Sequence, residues 1–200
     1  MKPIEQIVAE GYHIDLGAVI GEGWNMFVAN AGGFVGFALV GGIIAVLLAV
    51  TIIGLLFVTP LMAGFFIVPL LMLKGRRPTF GNFFDGFNKL GGYILLGLVM
   101  GLFVLLGYIF LIIPGIYLTV AYTWALALMA DRGLSFWDAM KTSMRVVNRN
   151  FWETLLLVLV VAIISSAGGI VFFGSLITLP LSYCILIAAY RRIFGLNQQT

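Results

Sequence analysis

Lys141, Arg145 and Arg149 follow one another at steps of four, the first pattern in this sequence that could do chemistry. On a helix that spacing puts an ammonium and two guanidinium groups in one row. Such a row suits phosphate or carboxylate oxygens. A second basic cluster, Lys74, Arg76 and Arg77, offers the same chemistry. Arg76, Arg77, Lys141, Arg145 and Arg149 are therefore the candidate contacts for anionic lipid headgroups. Asp131, Asp138 and Glu153 stand in the same stretch and could hold a divalent cation, but Arg132, Lys141 and Arg145 lie among them and favour ion pairs. Hydroxyl and aromatic groups form a third set: Tyr117, Thr119, Tyr122, Thr123 and Trp124, then Thr178, Ser182 and Tyr183. Of these, Tyr117, Tyr122 and Thr178 could line a path for a polar solute. The plainer reading is that Ser and Thr bond their own helix carbonyls, while Tyr and Trp mark a membrane boundary.

Other chemistries find no partners. Ser165-Ser166 has no acid or histidine in its own segment, so a serine hydrolase is unsupported. His13 is the one histidine and Cys184 the one cysteine, too few for a zinc site of the usual three or four ligands. Gly21, Gly23, Gly32 and Gly33 follow no strand and lack a nearby Lys-Ser/Thr, so no phosphate-cradling loop is present. The expectation is a non-enzymatic protein with no cofactor, no metal and no catalytic residue.

The elements that must carry these residues are set by hydropathy. The chain is 62% hydrophobic and 10% charged, with mean hydropathy +1.14, whereas soluble chains run near ~25% charged. Between Glu22 and Lys74 stand 51 uncharged residues, between Lys89 and Asp131 41, and between Glu153 and Arg191 37. One membrane-spanning helix needs about 20, so each run holds two. Spans are expected near 34–53 and 56–73, 92–112 and 115–131, and 152–173 and 176–192. Turns fall before 56, at Ile112-Ile113-Pro114-Gly115 and at Gly174-Ser175. Pro60 and Pro69 bracket the second span, which is expected to bend or start late.

A short amphipathic helix precedes each hairpin. Asp15 is the expected N-cap for the first, whose apolar stripe includes Leu16, Trp24 and Phe27. Thr79 caps the second, with Phe80, Phe83, Phe84, Phe87 and Leu90 on one side and Asn82, Asp85 and Lys89 facing away. Ser135 with Asp138 forms a capping box for the third. There Phe136, Met140, Met144, Val147 and Phe151 make the apolar face. The fold class is thus all-α: a polytopic membrane protein of six transmembrane helices as three hairpins, each behind an interfacial helix. The single integral domain divides into 1–33, the N-terminal tail and first interfacial helix, hairpin 34–73, interfacial helix 74–91, hairpin 92–131, interfacial helix 132–151 and hairpin 152–194. Phe34, Tyr93 and Phe151 open the odd-numbered spans about 60 residues apart, the mark of a threefold repeat. The Gly32/Gly36 and Gly97/Gly101 pairs permit close helix approach. Acidic residues and the lack of an apolar run near the start argue against a cleaved signal peptide.

With six spans every Lys and Arg falls at one membrane face, and the opposite turns carry no charge. The positive-inside rule then puts both termini in the cytoplasm. The net charge of +3 is that of cytoplasmic loops and does not point to nucleic acid.

Three stretches carry a family resemblance: Ile112-Ile113-Pro114-Gly115-Ile116-Tyr117-Leu118, the segment Asp131–Ser143, and the ending Ala189-Tyr190-Arg191-Arg192-Ile193-Phe194-Gly195. They resemble small bacterial inner-membrane proteins similar to the membrane domain attached to some glycerophosphodiester phosphodiesterases. The resemblance covers roughly residues 75–195 and implies the architecture and a bacterial inner membrane. It implies no activity, because in the fused proteins the hydrolase is a separate soluble domain. The functional expectation is a protein that organises anionic lipid or partner proteins through a basic cytoplasmic face. The alternative is a passive carrier or channel for a small or lipidic solute. The partners are membrane lipids; a second copy of the chain or another membrane protein is left open.

Overall fold

The computed structural model describes residues 2–170 and 174–196, with Ile52 and Ile170 described in their backbone alone. Residues 171–173, the end of the fifth expected span, and the tail after 196 lie outside the described residues. Among the described residues there are ten α-helices, one 3₁₀ helix and no strand. Six helical segments among the described residues are long and apolar enough to cross a membrane, the fourth of them interrupted by a turn. The chain is an integral, multi-pass, all-α membrane protein.

A short helix that the sequence did not announce, α1 (Ile4–Glu10), comes first. The first interfacial helix, α2 (Leu16–Ala29), starts where Asp15 accepts the Ala18 N–H at 3.0 Å. Hairpin one is α3 (Ala31–Ala49) and α4 (Ile52–Leu73). Thr51 caps α4 by accepting the Gly54 N–H, so the helix starts at Ile52 and runs on through Pro60 and Pro69. The second interfacial helix, Phe80–Lys89, is 3₁₀. Its polar residues explain the tighter turn. Thr79, Asn82, Asp85 and Asn88 recur every third residue, which eclipses them at three residues per turn. They bond in series: the Thr79 N–H donates to Asn82 Oδ1, and Asn82 and Asn88 both donate to the Asp85 carboxylate.

Hairpin two pairs α5 (Leu90–Phe110) with a broken span made of α6 (Ile112–Ala121) and α7 (Ala125–Arg132). The third interfacial helix is α8 (Phe136–Arg149), where Ser135 Oγ accepts the Asp138 N–H at 3.1 Å. Hairpin three is α9 (Phe151–Ile170) and α10 (Ser175–Phe194). The fourth expected span, 115–131, is thus interrupted. Tyr122–Trp124 form a tight turn, and α8 supplies what the turn gives up. Ser143 Oγ donates to the Ala121 carbonyl at 2.7 Å and accepts the Trp124 N–H at 3.1 Å, in a fully buried site. A side chain inserted into the backbone ladder is a recognised cause of such a break.

The threefold repeat is visible in the backbone. The residue joining each interfacial helix to its span is Asn30 (φ −140°, ψ 38°), Lys89 (−120°, 43°) and Asn150 (−134°, 58°). The hairpins also share one packing rule. Half of each even-numbered span is buried, against 22%, 17% and 17% of the odd-numbered ones. The even spans therefore form the centre, and the odd ones face lipid with side chains such as Ile43, Leu102 and Ile163.

Each interfacial helix crosses an even-numbered span at close range. Gly23 of α2 rests on the backbone of Ile185 in α10, leaving no room for a Cβ. Gly86 and Gly64 let the 3₁₀ helix and α4 approach carbonyl to backbone. Ser143 makes the third crossing, with α6. Beyond the crossings the ends of α4, α7 and α10 pack into one aromatic-rich core with Trp124, Tyr190 and Phe194 at its centre. Each interfacial helix exposes one large ring, Trp24, Phe80 and Trp137; the two indoles are amphipathic and suit the headgroup boundary, while Phe80 is purely apolar.

Candidate functional site

The even-numbered spans end on a polar cluster. Lys74, which caps α4, reaches the Asp131 carboxylate at the end of α7 at 3.1 Å. The Tyr190 hydroxyl of α10 donates to the other carboxylate oxygen at 3.0 Å. The two charged side chains are 9% and 0% exposed, so this is a buried pair. Charges are tolerated there because they meet each other. Next to it Arg132 donates to the Lys2 and Phe194 carbonyls, with its guanidinium 5.5 Å from the Phe194 ring centroid. The Lys2 N–H in turn donates to the Phe194 carbonyl. The ends of all three hairpins and the start of the chain thus meet at one place, and the 74–77 and 141–149 segments share one end of the molecule.

The remaining acids also take internal partners. Glu22 of α2 holds Arg191 and Arg192. Glu5 of α1 holds Arg145 at 3.1 Å. Glu153 accepts the Ile14 N–H and lies 2.9 Å from His13 Nδ1. The hydrogen bond to Glu153, and then its charge, raise the fully exposed His13 above its ordinary pKa. Tyr12 completes this strap: its N–H donates to Asn150 Oδ1 and its hydroxyl lies 2.6 Å from Thr154 Oγ1. Burial first, and the Glu153 charge as a further push, carry the Tyr12 pKa up to about 12, so it stays a neutral phenol. Asp131, Asp138 and Glu153 are not brought together: Asp138 turns back to Ser135, while the other two serve Lys74 and His13.

The five candidate basic residues separate into two groups. Arg145 and Arg149 grip α1, through Glu5 and the Ala9 carbonyl. Arg76, Arg77 and Lys141 are exposed and make no ion pair among the described residues. Lys141 lies 5.3 Å from the centroid of the Trp137 ring. Arg76 and Arg77 border a cleft of about 400 Å³, lined also by Ala29, Asn30, Met72, Gly75 and Pro78.

Tyr117, Tyr122 and Thr178 have separate surroundings. The Tyr117 hydroxyl donates to Asn148 Oδ1 at 2.7 Å, and Tyr122 is buried in the core. Thr178 points at the Ser165 carbonyl, beside a Ser165–Ser182 hydroxyl contact of 2.7 Å that links α9 to α10. Ser182 and Thr119 bond carbonyls of their own helices, and Thr123, in the turn, bonds the Thr119 carbonyl of α6. Two lipid-facing grooves are apolar: one of about 440 Å³ between α3 and the start of α10, another of about 380 Å³ between α4 and α5.

Spacing could have revealed part of the polar cluster. Lys74, Asp131 and Tyr190 are 57 and 59 residues apart, close to the repeat length, and each stands at the end of an even-numbered span. A lysine, an aspartate and a tyrosine at equivalent positions are complementary when the positions converge. Comparison of the chain with protein-family models, with curated proteins and with solved structures finds no match.

Proposed function

We propose that this membrane protein gathers anionic lipid at its polar end through Arg76, Arg77 and Lys141. The observation that carries the reading is the distribution of charge. Glu22, Asp131 and Glu153 are engaged by partners within the fold and Glu5 by Arg145 at its surface, while these three cations are turned outward without an ion pair among the described residues. An unneutralised cation near an anionic leaflet contributes about 1 kcal/mol. Arg145 and Arg149 hold α1 in place and serve the surface indirectly. By the positive-inside rule this end faces the cytoplasm. A relationship to the membrane domain of glycerophosphodiester phosphodiesterases, with a bacterial inner-membrane location, belongs to the same proposal and rests on the sequence motifs. The carrier alternative needs Tyr117, Tyr122 and Thr178 on one path, and their separate partners do not favour it.

The test is lipid analysis of the purified protein. R76E/R77E/K141E is expected to lower the ratio of anionic to zwitterionic lipid carried through purification. An unchanged ratio contradicts the proposal.

A further inference from the structure

The cleft beside Arg76 and Arg77 has more structure than a basic surface needs. The geometry points to it as a phosphate site that holds one anionic phospholipid headgroup, an inference that rests on the lipid-gathering reading above.

Four features converge there. Gly75, in the left-handed conformation at φ 74°, turns the chain after α4 and sends Arg76 and Arg77 to the cleft wall. Two adjacent guanidinium groups can share a phosphate through paired N–H donors. Asn30, at the start of α3, lines the same cleft. Its amide lies against Gly33 in the first turn of this 19-residue helix without making a capping bond, so the first N–H groups keep part of their positive character. Gly32 in that first turn has open space where a side chain would stand.

The third repeat supplies an internal comparison. Asn150 has the same place and nearly the same backbone angles as Asn30, and there the Tyr12 strap uses its Oδ1. The described chain lays no such strap over Asn30. The ligand class follows from the rest of the lining. Met72, Ala29 and Pro78 add apolar side chains to the lining, and the exposed Val28 and Phe80 are close in sequence to its segments. An amphiphile with a phosphate fits this better than inorganic phosphate, although both offer the same anionic oxygens.

The experiment uses the full chain in nanodiscs of phosphatidylcholine with a minority of phosphatidylglycerol, with retained lipid counted by native mass spectrometry. Wild type is expected to retain phosphatidylglycerol preferentially. Each arginine is worth about fivefold in that preference, so R76Q/R77Q lowers it on the order of 20–30-fold. N30A, which changes no charge, lowers it several-fold by removing a side-chain hydrogen-bonding group. K141Q, whose side chain is not part of the cleft lining, lowers it no more than a single arginine change. Unchanged unfolding temperatures show that the variants fold. Equal losses in K141Q and R76Q/R77Q, with N30A like wild type, overturn the cleft and leave the diffuse lipid-gathering reading standing. No loss in any variant overturns both. Release of the lipid by millimolar inorganic phosphate overturns the assignment to a phospholipid.

Discussion

Replacing Lys74 by methionine removes the cation from a carboxylate that is 0% exposed. At 3.1 Å and an effective dielectric near 20, the Coulomb attraction is about 5 kcal/mol. Desolvation offsets much of that, and deleting one member of a buried pair typically costs about 3–5 kcal/mol. The Tyr190 hydroxyl still donates to Asp131 in K74M, which places the loss toward the lower end. For a chain of this size that is a fall in Tm of roughly 6–20 °C. D131N keeps an acceptor for Tyr190 but leaves Lys74 without its counter-charge, and loses a similar amount. K74M/D131N carries neither charge and is expected to be more stable than K74M alone. The chain supplies its own probe: Cys184 is its one cysteine and is buried, so a fluorogenic maleimide reports unfolding in detergent. The expected coupling in this cycle is about 2 kcal/mol or more. Single losses that add in the double variant to within about 0.5 kcal/mol would refute the pair as a joint between hairpins one and two.

Two further outcomes follow from the same contacts. S143A leaves the Ala121 carbonyl and the Trp124 N–H without their buried hydroxyl partner, and is expected to lower stability by about 1–3 kcal/mol, whereas S166A, at an exposed site in the lipid-facing α9, leaves the maleimide melting curve in place. His13 gains its proton's partner on folding, so its pKa rises; the contribution is complete below the ordinary value of 6.5 and fades as pH climbs through the raised one. H13Q should therefore melt lower than wild type in acid and match it at alkaline pH, and a gap that widens with rising pH would contradict the Glu153 contact.

The parts of this molecule that follow from hydropathy were legible, and the parts that follow from long-range pairing were not. Neutral runs of 51, 41 and 37 residues can only be double crossings, and the helices lie where those runs lie. Asp15 and Ser135 announced their helices because capping is a local event. The 3₁₀ helix was legible in principle, since Thr79, Asn82, Asp85 and Asn88 repeat every third residue; the phenylalanines between them invited an α-helical reading instead. The break at Tyr122–Trp124 was not legible, because its cause is Ser143, about 20 residues further on and supplied by another helix. Nor does the sequence announce α1: seven residues with one buried side chain hold their place through Arg145 and Arg149, two residues whose spacing alone points to lipid headgroups. Asn30 gave no signal at all, since its place in the cleft depends on the turn at Gly75, far away in sequence.

The account depends most on a single segregation, with charged segments at one membrane face and neutral turns at the other. Single cysteines at Thr79, Asn148, Thr51 and Leu111, in a C184S background, would be challenged with a membrane-impermeant maleimide in intact and inverted vesicles. Positions 79 and 148 are expected to react from one side, and 51 and 111 from the other alone. Reaction of 79 and 148 from opposite sides would contradict the three-hairpin arrangement and everything built on it.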